Sequence, residues 1–219
     1  LHSLMGPNMK GEQQKSGSGA TLIWDSRYSH VDTWVDSQGR AAAVTLRSPA
    51  GRRVRVLVVY GYSSPGKWGD RPARLLREVN EQRRLAHQSH TPLIVLGETN
   101  SSPPKDVSLG FKRPDGYASH QSACLSSALL SQLRGPARQT KRQRRRKGGV
   151  TSSPVDVLEA PALGDSFRSL HPRLNGATRM VVGEAPARHT LVLVPRKWKL
   201  LGSTVDSARK WWPHSDHYL

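Results

Sequence analysis

An α/β fold follows from three features of the 219-residue sequence. Short apolar runs bounded by glycine, proline or polar clusters recur along it, as in Ala41-Ala42-Ala43-Val44-Thr45-Leu46 and Thr190-Leu191-Val192-Leu193-Val194-Pro195. The stretch from Arg71 to His87 spaces Ala73, Leu76, Val79, Asn80, Arg83 and Leu85 with helical recurrence among charged residues. It leads into Pro92-Leu93-Ile94-Val95-Leu96-Gly97-Glu98-Thr99-Asn100, an apolar run that predicts a strand buried on both faces. A helix feeding a buried strand is a unit of layered α/β architecture.

The elements follow in order. Residues 1–19 are polar and glycine-rich, end in Ser16-Gly17-Ser18-Gly19, and predict a flexible lead-in to a domain over 20–219. Ala20-Thr21-Leu22-Ile23-Trp24 predicts a strand. Two more, 41–46 and Arg53-Val54-Arg55-Val56-Leu57-Val58-Val59-Tyr60, flank Ser48-Pro49-Ala50-Gly51-Arg52, a hairpin connection. The second of these begins half exposed and finishes buried. From 101 to about 160 the chain turns rich in Ser, Gly, Pro and charge and predicts a low-order basic insertion, with one short helix over 125–133. Asp165-Ser166-Phe167-Arg168-Ser169-Leu170-His171-Pro172 predicts a short helix stopped by proline.

Charge narrows the partners. Lysine and arginine number 34 against 16 aspartates and glutamates, a net charge of +18. This favours a polyanion such as nucleic acid, or an acidic membrane surface. The run Lys141-Arg142-Gln143-Arg144-Arg145-Arg146-Lys147 is a solvated loop by its own repulsion, or serves nuclear import or phosphate-backbone contact. Cys124 is the sole cysteine, so no intramolecular disulfide forms and an intracellular, reducing setting is the simpler expectation. No apolar run reaches the roughly 20 residues needed for a membrane span.

Chemistry concentrates at strand ends. Period-two alternation puts Glu98 and Asn100 on one side of the strand's C-terminal end, where open α/β sheets hold ligands. An acid beside an amide suits metal-assisted or water-mediated chemistry. On residues alone, Tyr60 also reads as a core or rim aromatic and His217 as a solvated terminal histidine. Asp165 and Arg168 read as a pair across one helical turn.

Taken in order, Val59-Tyr60-Gly61, Leu96-Gly97-Glu98-Thr99-Asn100, Asp165-x-x-Arg168-x-x-His171-Pro172, Thr178, Arg188-His189-Thr190 and Ser215-Asp216-His217 resemble the endonuclease/exonuclease/phosphatase superfamily. The likeness is greatest to endonuclease domains of non-LTR retrotransposons, beside apurinic endonucleases and exonuclease III. It implies a partial four-layer α/β sandwich, two mixed sheets packed together with helices outside, lacking the N-terminal strands. It makes Glu98 the carboxylate that positions or deprotonates the attacking water and Asn100 its hydrogen-bonding partner. Tyr60 then stands near the scissile phosphate, Asp216 near the metal, and His217 on a phosphate oxygen. The implied cofactor is Mg²⁺ or Mn²⁺, and the implied partner is nucleic acid, DNA ahead of RNA.

The chain departs from that pattern. Glu98 and Thr190 each stand where the family has aspartate, and the upstream asparagine and metal-binding glutamate have only Asn8 and Glu12 as candidates, in polar context. Threonine cannot supply the charge that stabilises an imidazolium. The expectation is therefore a metal-dependent phosphodiesterase-like, endonuclease-like domain of retroelement origin, weak or inactive. A non-catalytic nucleic-acid-binding protein and a phosphatase of the same superfamily are the alternatives.

Overall fold

The computed structural model describes residues 2–5, 20–62, 68–101, 125–131, 160–174, 176–178 and 188–203. Asp216, His217, Cys124, Asn8, Glu12 and the basic run 141–147 lie outside the described residues. Strands β1 (His2–Met5) and β2 (Thr21–Trp24) pair antiparallel. A six-stranded mixed sheet contains β3 (Ser29–Val35), β4 (Ala41–Arg47), β5 (Arg53–Tyr60), β6 (Leu93–Glu98), β7 (Leu163–Asp165) and β8 (Thr190–Pro195), in the spatial order β3-β4-β5-β6-β8-β7. Helices α1 (Arg71–Gln88), α2 (Leu125–Leu130) and α3 (Ser166–Leu170) complete the described elements.

The hairpin between β4 and β5 turns as expected. Ser48 and Arg52 close it by a backbone hydrogen bond, and Gly51 takes φ 77°, a left-handed conformation that costs glycine little. β5 and β6 run parallel, which requires a crossover, and α1 supplies it. Pro72 in its first turn fits the helix start, where an amide donor is not needed. At its other end His90 adopts φ 50°, His90 N–H donates to His87 O and Thr91 N–H to Ala86 O. That double closure caps the orphan carbonyls and turns the chain into β6.

The core lies between the sheet and the helices. Leu75, Val79 and Ala86 of α1, with Leu125 and Leu129 of α2, cover Ala41, Ala43, Leu57, Val59, Leu93, Val95, Leu191 and Leu193. Burying each such leucine or valine contributes roughly 1.5–3 kcal/mol. The helical stripe differs from the expected one. Leu75 and Val79 face the sheet, whereas Leu85 is 43% exposed and Ala73 is exposed. Arg83 is buried and ties α1 to α2, donating to Ala128 O at 2.9 Å and Ser131 O at 2.8 Å. Burial pulls its guanidinium down to about 10, so it stays charged at neutral pH.

Three expectations change. β6 is buried on one face only: Leu93 and Val95 are buried, while Ile94 and Leu96 are half-buried on the face that β5 shares through Val54, Val56 and Val58. The expected lead-in contains β1, which finds its backbone partners on β2 rather than through any apolar pattern of its own. β3 leaves no apolar pattern in the sequence because its first five residues are exposed, as suits the edge of the sheet. β5 begins exposed at Arg53, as expected, but Arg55 is already buried on the α1 side, and Val54, Val56, Val58 and Tyr60 stay half-buried to the end of the strand.

Candidate active site

Strand register brings three of the singled-out positions into one row. Tyr60 on β5 pairs with Glu98 on β6, and Glu98 pairs with Thr190 on β8. The row closes the C-terminal end of the parallel β5–β6 pair. All three residues are half-buried, which leaves them reachable from outside.

Two glycines allow the strands to converge there. Gly97 has φ 129°, and a Cβ on it would stand 2.1 Å from Val59 O. A Cβ on Gly61 would stand 2.2 Å from Thr99 O. No side chain fits either gap without backbone movement. Gly61 N–H then donates to Glu98 O at 2.7 Å, fastening the turn after β5 to the end of β6.

Asn100 does not continue the strand alternation. It lies past β6 with φ 51°, is buried, and donates Nδ2–H to Gly61 O at 2.9 Å. Because a carbonyl only accepts, this contact orients the amide and turns Oδ1 the other way. Thr99 is anchored to the chain entering β8. Its N–H donates to His189 O at 2.7 Å and its hydroxyl to the same carbonyl at 3.0 Å. Thr178 Oγ1 accepts from His189 N–H at 3.0 Å and Thr190 N–H at 3.1 Å, holding the start of β8 in place.

Arg40 is the supporting residue that residue patterns alone did not reveal. Its Nη1 donates to Tyr60 O at 3.2 Å and Gly61 O at 3.1 Å. Its guanidinium lies 5.0 Å from the Tyr60 ring centre, 4.0 Å from Tyr62 and 5.9 Å from Trp68, within cation–π range. Burial pushes the Tyr62 hydroxyl pKa up, favouring its protonated form, and that hydroxyl donates to Gln38 Oε1. Arg40 and Asn100 thus share Gly61 O as an acceptor, so the arginine, the turn and the amide form one unit. A Gln-Gly-Arg sequence after a strand carries no sign of such a long-range role.

Asp165 and Arg168 are arranged differently from the expected pair. Asp165 caps α3 by accepting Arg168 N–H at 3.1 Å, and its carboxylate forms a buried ion pair with Arg188. Arg168 Nη1 instead donates to His171 O and Leu174 O. The geometric reason is that Arg188, on the chain entering β8, projects onto Asp165 at the end of the neighbouring β7. His171 does end the helix, as C-cap of α3.

A hard divalent cation takes about six oxygen ligands. Among the described residues no group of three His, Cys, Asp or Glu is placed to hold a metal. Nor, among them, is any helix long and apolar enough to cross a membrane.

Solved structures place this architecture. The 3′ phosphatase NExo from Neisseria, bound to a product DNA hairpin, superposes with a TM-score of 0.53 at 21% identity, over 88% of this chain and 70% of that one. The chain has the endonuclease/exonuclease/phosphatase fold. The catalytic domain of Xenopus laevis APE2 matches at a TM-score of 0.49, 19% identity, 84% of this chain and 54% of that one. The human Nocturnin catalytic domain with bound sulfate matches at 0.43, 12% identity, 80% and 51%. The chain therefore spans about half the length of these two. No protein-family model and no curated protein matches it in sequence.

Proposed function

We propose that the chain is a phosphoester hydrolase domain of this fold that acts weakly on nucleic-acid phosphates at the C-terminal end of the β5–β6 pair. The observation that carries this reading is the row Tyr60–Glu98–Thr190 with Asn100 turned onto Gly61 beside it. Glu98 is the one carboxylate of the row and is the group to position or deprotonate an attacking water. Asn100, its Nδ2 committed to Gly61, offers Oδ1 to a water or a substrate hydroxyl. Tyr60 stands on the opposite side of Glu98 from Thr190, available to a phosphate oxygen.

Activity is weak on this reading because Thr190 places a neutral hydroxyl beside Glu98 where the resembled family has a carboxylate. Neutralising an aspartate that supports a catalytic histidine costs about 10⁴ in rate in serine proteases, which sets the scale of the loss. Asp216 and His217 belong to the proposal as the metal-proximal carboxylate and the phosphate-binding imidazole, with Mg²⁺ or Mn²⁺ as the cofactor. The +18 charge favours a nucleic-acid substrate, DNA in the first instance.

Incubation of the protein with supercoiled plasmid in Mg²⁺ or in EDTA tests this, beside Asn100→Ala. Slow nicking that needs the metal and falls with Asn100→Ala supports the reading. Nicking that survives in Asn100→Ala overturns the site assignment. Steeply salt-dependent binding with no turnover in either metal points instead to a non-catalytic nucleic-acid binder.

A further inference from the structure

The opposite end of the sheet carries a second, differently built cleft. Its volume is about 410 Å³, and Trp34, Arg53, Arg55, Gln82 and Leu85 are among the residues that line it. It lies between α1 and the β3–β5 part of the sheet. Arg55 pairs with Leu93 at the start of β6, whereas Tyr60 pairs with Glu98 at its end. Five residues of strand, about 17 Å, separate the two rows.

Arg55 is the centre of this cleft. Asp32, Thr45 and Arg55 occupy one row across β3, β4 and β5, with Asp32 opposite Thr45 and Thr45 opposite Arg55. The Arg55 side chain is 8% exposed. Its Nη1 donates to Asp32 Oδ1 and, at 2.7 Å, to Thr45 Oγ1, and its Nη2 donates to Gln82 Oε1. Its Nε–H is buried and has no acceptor among the described residues. A buried donor in that state is costly, and a ligand oxygen or ring nitrogen would satisfy it.

The walls complete the specification. Trp34 lies one same-face step along β3 from Asp32 and presents a half-buried ring. Leu85 and Val31 are 43% and 41% exposed, apolar surface left open on the cleft. Asp32 is 56% exposed on its side chain and turns outward, available to accept from an amine. Arg53, exposed at the mouth, supplies a positive charge.

We propose that this cleft binds a nucleoside monophosphate unit, either free or at the end of a nucleic-acid strand. The base lies against Trp34 and Leu85, a ring acceptor takes the Arg55 Nε–H, an exocyclic amine meets Asp32, and the phosphate meets Arg53. Stacking on an aromatic ring with a basic group at the phosphate is a recurring way to hold a nucleotide. The site stands apart from the hydrolytic row and does not depend on the activity proposed for it.

Isothermal titration calorimetry of the full chain tests the site with adenosine monophosphate, inorganic phosphate and a short single-stranded oligonucleotide ending in a 5′-phosphoadenosine. The expected result is binding of adenosine monophosphate, of the oligonucleotide, or of both, with free nucleotide and strand end told apart by which binds more tightly. Trp34→Leu and Arg53→Ala are each expected to weaken binding about tenfold. Arg55→Lys, which keeps the buried charge but loses Nε, weakens it at least as much, with thermal unfolding confirming that it folds. Glu98→Gln leaves binding in place. Absence of nucleotide binding near about 1 mM ligand overturns the proposal. So does binding indifferent to Trp34 and Arg53, or inorganic phosphate competing as well as the nucleotide.

Discussion

Two aspartate–arginine pairs in this sheet are built in opposite ways. Arg188–Asp165 anchors the chain entering β8, and its side chains are 2% and 8% exposed. Arg55–Asp32 sits on the row that opens β6, with an arginine 8% exposed but an aspartate 56% exposed. In the first pair both charges have left water, so each depends on the other. In the second, the aspartate keeps its hydration, and the arginine has Thr45 and Gln82 as neutral partners. One end of the molecule is therefore held by a closed pair that serves structure. The other holds a charge still open to a ligand.

That contrast orders the consequences of mutation. Asp165→Ala leaves Arg188 buried without its carboxylate and removes the α3 cap, and should cost roughly 3–5 kcal/mol in urea unfolding. Gly97→Ala comes next. Its Cβ would meet Val59 backbone at a left-handed φ, and a loss of about 3 kcal/mol is expected, with Tyr60 and Glu98 pushed apart. Asp32→Ala should cost only about 1 kcal/mol, because its partner retains two other acceptors. If Asp32→Ala proved as damaging as Asp165→Ala, the distinction between the closed and open pairs would fail.

Asp36 sharpens the comparison with a third arrangement, a buried carboxylate served by backbone N–H groups of Gln38 and Ala41. Burial raises its pKa above the ordinary 3.8, although those donors pull the other way. The folded state then binds the proton more tightly than the unfolded chain does. Below 3.8 both forms are protonated; as pH rises through the raised value, the folded state bears the charge and stability falls. The parent should therefore lose stability across that window relative to Asp36→Asn, in unfolding midpoints measured against pH. A flat difference would contradict the burial argument.

The sequence made the centre of the fold legible for physical reasons. β4, β5, β6 and β8 carry apolar runs and α1 carries helical spacing, so burial itself wrote their pattern. β3 is an exposed edge, and β7 has only three residues, so neither leaves a readable period. The same division holds at the candidate site. Tyr60 and Glu98 were readable as polar residues ending apolar strands, and their pairing follows from parallel register. The left-handed Asn100, the glycine approaches and the bonds from Arg40 and Thr178 depend on backbone atoms distant in sequence. The Arg188–Asp165 pair joins residues 23 apart in sequence, whereas the sequence pattern shows only the nearer Arg168 one helical turn from Asp165.

The central claim is that Glu98 at the C-terminal end of the β5–β6 pair acts on a phosphoester. The most direct measurement is phosphate release from a DNA hairpin bearing a 3′-phosphate, with Mg²⁺, by the parent, Glu98→Gln and Thr190→Asp. Slow release by the parent, at least about 10²-fold less with Glu98→Gln and more with Thr190→Asp, is the predicted result. Release at an equal rate by parent and Glu98→Gln, or none from any of the three, would contradict it.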